Sequence, residues 1–150
     1  MGVYTHMGKP DIGVTACRDC LCLASRRASR AITRAFDRRL RPHGIRATQF
    51  SILVMLIERG PSTIGELADA LGLERTTLSR NLDLIVAQGW VKIKVGADDP
   101  RSREVAITGA GRRAVVAALP SWRQAQTAAI AGLGPAGSDA LRSLAAMQIA

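Results

Sequence analysis

Two short clusters in this sequence hold side chains able to react or to recognise. "CRDCLC" places Cys17, Cys20 and Cys22 within six residues. A thiolate is the form that oxidants attack, and a helix start with arginines nearby favours it. Three readings are open to the cluster: packing, redox sensing and metal binding. Zinc takes four ligands, and the nearest histidine in sequence is His6. On a helix Cys20 and Cys22 would point about 200° apart. No metal and no other cofactor is expected. Enzymatic readings have less to stand on. The chain has two histidines, His6 and His43, and no Gly-rich phosphate loop. Its Cys-x-x-Cys precedes a helical pattern rather than a strand–helix–strand unit.

The second cluster is "ERTTLSR", residues 74–80. Each helical residue advances about 100°. With Leu78 at zero, Leu82 and Ile85 fall within about 40° of it and share a core face. Thr76 and Arg80 then lie on the opposite side, with Thr77 flanking them. Arginine can donate two hydrogen bonds to guanine, and threonine can meet a phosphate, a base edge or a thymine methyl. Arg75 and Ser79 complete the set at the helix start, where phosphate is favoured. An ordinary solvated helix face carries the same residue types.

A hairpin pattern follows directly. "WVKIKV", residues 90–95, alternates apolar and basic residues, as a half-buried strand does. "EVAIT", residues 104–108, reads as the return strand. Between them "GADDPRSR" makes a charged tip with Arg101 and Arg103, while Lys92 and Lys94 sit on the first strand. An arginine at such a tip suits a narrow minor groove. Asp98 and Asp99 can equally neutralise the arginines, and Asp99 can hold the tip in shape.

These pieces need a scaffold. Residues 17–41 read as a first helix, its apolar stripe running from Leu21 through Ala24, Ala28, Ala31, Ile32, Ala35 and Phe36 to Leu40. Its other side carries Arg26, Arg30, Arg34 and Arg38. Residues 48–59 form a mostly buried second helix, ended by Gly60-Pro61. Thr63 and Glu66 fit a capping box opening a third helix. Gly72 turns into the fourth helix, about Arg75–Gln88. A fifth runs from about Ala110 toward Ile130, "GLGPAGS" breaks the chain, and residues 138–148 form a last short helix. Apolar residues make up 47% and aromatics only 3%, so aliphatic side chains must build the core. The net charge of +9 suits a polyanion. No targeting signal and no stretch of about 20 apolar residues appears. The expectation is a cytoplasmic protein with no membrane partner.

In sequence order, "TIGELADALGLERTTLSRNLDLIVAQGWVKI" and "DDPRSREVAIT-GAG" resemble the MarR family of winged helix-turn-helix regulators, a likeness running from about residue 17 to 130. The resemblance implies a mainly α fold with a small β-hairpin. Residues 1–16 would be an arm, 17–45 a dimerisation helix, 46–108 the winged module and 109–150 further dimerisation helices. It implies a homodimer on a double-stranded DNA operator, most simply a repressor, with Thr76, Thr77 and Arg80 at bases and Arg101 in the minor groove. Ligand-responsive relatives bind effectors between the dimer helices and the winged module. Phe36, Phe50 and Trp122 are candidates to line such a pocket for a small-molecule effector, or simply to fill the core. Release by thiol oxidation is the other expected signal. Two alternatives use the same residues: a nonspecific architectural DNA binder, and a cysteine-based redox or metal sensor acting through protein contacts.

Overall fold

The computed structural model describes residues 14–96 and 101–147. The expected tip residues Asp98 and Asp99, residues 1–13 of the arm expected over 1–16, and the last three residues lie outside them. The chain divides inside its first helix, between Ala31 and Ile32, into a short N-terminal unit and a larger one.

In the N-terminal unit a 3-10 turn, Val14–Asp19, precedes helix α1, Leu21–Leu40. The helix expected from Cys17 therefore starts four residues later. The Cys20 amide donates to the Cys17 carbonyl at 3.3 Å, closing a turn over residues that are mediocre helix formers. Leu21 is 82% exposed, Ala24 and Ala31 are exposed too, and only Leu40 is buried.

The larger unit holds helices α2 (Ala47–Arg59), α3 (Ile64–Leu71), α4 (Arg75–Ala87) and α5 (Gly109–Ala146). It also holds strands β1 (Ser62–Thr63), β2 (Val91–Val95) and β3 (Arg103–Ile107). The sheet is antiparallel in the order β1-β3-β2. The expected hairpin is thus present, but with a third strand, because Ser62 pairs with Val105 and Thr63 with Glu104. Two residues are too few to show a period in sequence. Strand β2 is exposed along most of its length, Ile93 included at 41%. It is not the half-buried strand expected, because it lies at the sheet edge and only Val91 reaches the core.

One core joins these elements. Ile52, Leu53 and Leu56 of α2 meet Leu67 of α3, Leu78, Leu82 and Ile85 of α4, Val105 of β3 and Ala118 of α5. Each fully buried Leu or Ile contributes roughly 1.5–3 kcal/mol by leaving water.

In α5 the expected break over "GLGPAGS" shrinks to one residue. Gly134 alone leaves helical geometry, at φ 70° and ψ 172°. Glycine tolerates that conformation, and Pro135 suits the first position of the helix that resumes.

Candidate nucleic-acid interface

The site is built on the turn between α3 and α4. Thr63 caps α3: its Oγ1 accepts from the Glu66 amide at 3.3 Å, and the Glu66 carboxylate accepts from the Thr63 amide at 2.8 Å. The Thr63 amide and then its hydroxyl hold the Glu66 carboxyl below the usual glutamate range. Gly72 ends α3 in the left-handed region at φ 60°, and the Leu73 amide donates to the Ala68 carbonyl at 2.9 Å. That geometry reverses the chain within three residues and launches α4.

Leu78, Leu82 and Ile85 are almost wholly buried, so the rotation of α4 about its axis is set. Arg75, Thr76, Thr77, Ser79 and Arg80 are all exposed. No side chain caps the start of α4, and no acid lies in its first turn. The N-cap residue is Glu74, whose side chain makes no cap hydrogen bond, so the first amides have no side-chain partner, while an anion drawn to the positive dipole end would meet this carboxylate beside it. The Arg75 guanidinium lies over Gly65 at the start of α3. A Cβ placed there would come within 3.3 Å of Nη2. Asn81, which the sequence reading passed over, donates from Nδ2 to the Thr77 carbonyl at 2.9 Å and braces the exposed turn. Its position four residues after Thr77 was the available signal.

The wing is held by a joint around Thr108. The Thr108 amide donates to the Trp90 carbonyl at 2.9 Å, its hydroxyl donates to the Gly89 carbonyl at 2.7 Å, and the same oxygen accepts from the Gly111 amide at 3.1 Å. One threonine thus ties the end of α4, the base of the hairpin and the start of α5. Gly111 fits only because it lacks a side chain: a Cβ would collide with the Trp90 carbonyl oxygen. Along the hairpin Lys92 faces Ala106 across the ladder, Lys94 faces Glu104 and Val95 faces Arg103. Lys92 and Lys94 share one face of the strand. The Gly96 amide closes the ladder on the Ser102 carbonyl at 3.0 Å. Lys92, Lys94, Arg101 and Arg103 are all exposed.

The other candidate residues lie outside α4 and the hairpin in sequence. Cys17, Cys20 and Cys22 are free, exposed thiols of the N-terminal unit. Among the described residues no three His, Cys, Asp or Glu side chains gather as a metal site. Phe36, Phe50 and Trp122 come together: Trp122 stacks on Phe50 at 6.1 Å and meets Phe36 at 6.5 Å. Phe50 is buried, and the other two pack against the core. None of the described helices is long and apolar enough to cross a membrane.

A MarR-family model matches residues 43–102. The M. tuberculosis transcriptional regulator MosR, in its crystal structure in complex with DNA, is 40% identical, with a TM-score of 0.74 over 84% of this chain and 93% of MosR. The chain belongs to the MarR family. A second crystal structure of MosR is 36% identical, with a TM-score of 0.75 over 85% of this chain and 91% of that one. The HTH-type transcriptional regulator YwoH of Bacillus subtilis is 31% identical over 81 residues. Those residues are 54% of this chain and 58% of YwoH, so the match spans little more than half of that curated relative. The winged helix-turn-helix of the MarR family is the fold described above, and the matched proteins are transcriptional regulators rather than enzymes.

Proposed function

We propose that this chain is a cytoplasmic, sequence-specific DNA-binding regulator that acts as a homodimer, most simply a repressor. The observation that carries the reading is the division of α4, with Leu78, Leu82 and Ile85 buried behind exposed Thr76, Thr77 and Arg80. Thr76, Thr77 and Arg80 read base edges. Arg75, Ser79, Lys92 and Lys94 hold phosphates, and Arg101 and Arg103 bring the wing to the minor groove. The DNA complex of MosR supports double-stranded DNA as the partner. Exposed apolar side chains on α1 and α5, among them Leu21, Val116 and Leu144, support pairing of two copies through the flanking helices. Paired readers then meet successive major grooves about 10 base pairs apart.

Arg80→Ala compared with Lys92→Ala tests this. Losing a base-reading arginine costs about 1–3 kcal/mol on the operator and relaxes sequence preference. Losing a phosphate contact weakens all sequences alike and flattens the salt dependence. Equal effects of Arg80→Ala on operator and random duplex would favour the nonspecific, architectural reading.

Release belongs to the same proposal. The exposed thiols favour oxidation over a buried effector site, because Phe36, Phe50 and Trp122 are already packed on one another. Peroxide converts one thiol to a sulfenic acid with loss of water, and a second thiol closes a disulfide with loss of another. A variant with serine at positions 17, 20 and 22 should keep its operator affinity under mild peroxide, while the parent loses it. Loss in both would point to an effector or another residue.

A further inference from the structure

The larger unit carries a basic cleft that the DNA-reading surface does not use. Arg34, Arg38 and Arg41 follow one another at helical spacing at the C-terminal end of α1 and just beyond it. Gly44, in the left-handed region at φ 68°, turns the chain so that Arg46, the residue before α2, joins them. Together these four arginines and Asp37 line a cleft of about 360 Å³. Asp37 is the only acid in the lining, and its carboxylate is committed. Oδ1 accepts from the Ala47 amide at 2.7 Å and Oδ2 lies 3.9 Å from the Arg46 guanidinium. Among the described residues Arg34, Arg38 and Arg41 make no ion pair.

We propose that this cleft seats a multiply charged oxyanion of the phosphate class. Like charges gathered around a concave surface repel one another and focus a positive potential into it. A solvated arginine stripe relieves that repulsion by spreading outward, but here the turn at Gly44 adds Arg46 to the same cleft lining as Arg34, Arg38 and Arg41. The planar fork of arginine matches phosphate oxygens two at a time. With one acid against four arginines, the lining keeps three positive charges for the ligand. That exceeds what one monoanionic diester needs and suits a phosphate monoester or pyrophosphate. The backbone phosphates of bound DNA offer the same chemistry from a second source.

Calorimetric titration of the full chain with sodium pyrophosphate, at ionic strength fixed with sodium chloride, tests the seat without any DNA. Saturable binding is expected. Arg38→Gln and Arg41→Gln should each weaken it about tenfold, the loss of one charge-assisted contact. Arg112→Gln, on the exposed start of α5, should leave it unchanged. Circular dichroism checks that each variant folds, and Arg34→Gln serves if one does not. A second arm measures the salt dependence of binding to a random duplex. A slope lowered by about 0.9 for each arginine removed assigns the seat to a DNA phosphate. An unchanged slope with pyrophosphate binding lost assigns it to a small free anion. If pyrophosphate fails to saturate and the slope also stays, or if Arg112→Gln weakens binding as much as Arg38→Gln, the seat does not exist. The titration stands apart from the proposed function, since it needs no operator.

Discussion

At the residue scale the readable part of the sequence was the part governed by local spacing. Leu78, Leu82 and Ile85 fall on one side of any helix drawn through them, so the exposure of Thr76, Thr77 and Arg80 followed before any tertiary contact was known. Thr63 and Glu66 were readable for the same reason, as a cap spans only three residues. Their pairing makes a prediction. The Glu66 carboxyl is held below its ordinary range by the Thr63 amide and hydroxyl, so its ionised form is favoured in the folded chain. That contribution is complete above the ordinary glutamate range and disappears as pH falls through the lowered value. Thr63→Val should cost about 1 kcal/mol as a lost cap. It should also move the Glu66 titration, followed by carboxyl NMR, part of the way up, because the Thr63 amide remains. An unmoved titration would mean that the hydroxyl does not hold the carboxylate. Asp37 was not readable in this way. It caps α2 through Ala47, ten residues on, and that depends on how the chain turns at Gly44.

Between elements, the joint at Thr108 decides where the wing points. Gly111→Ala would drive a Cβ into the Trp90 carbonyl, and backbone cannot step aside as a flexible side chain can. The expected cost is about 2 kcal/mol, in the range of core overpacking. Thermal unfolding reads that cost, and operator affinity should fall further than stability alone explains, because the hairpin base shifts. A variant as stable as the parent would show that the joint has slack. Gly134 offers a contrast. A Cβ there meets nothing within 4 Å, so Gly134→Ala pays only for its backbone conformation, about 1–3 kcal/mol in a region that side chains other than glycine's hardly enter. The break itself was visible in "GLGPAGS", but its extent was not. Three glycines and a proline permit a long loop, while the resumption of helix at Pro135 is a matter of backbone dihedrals. Strand β1 escaped notice because two residues cannot display a period.

For the whole molecule, what local spacing leaves open is the cover over the outer surface of the flanking helices. An apolar stripe in a sequence looks the same whether its cover comes from the same chain or from another. In α1 the stripe was legible, yet Leu21 stands exposed, as do Val116 and Leu144 on α5. If a second copy covers them, Val116→Glu should shift sedimentation equilibrium toward monomer and weaken operator binding while leaving the helical signal intact. A dimer of unchanged strength would place the pairing surface elsewhere. The open border of the wing bears on crowding as well. Among the described residues strand β2 has a neighbour on one side only, so its other row of amides and carbonyls is a template that a stray strand from another molecule can extend. Lys92 and Lys94 stand on that border, and charge of one sign is a common guard against such zippering. Exchanging both for threonine should therefore leave the fold intact but produce turbid, fibrillar material in concentrated, DNA-free solution, visible by light scattering, if these two ammonium groups are what keeps idle molecules apart.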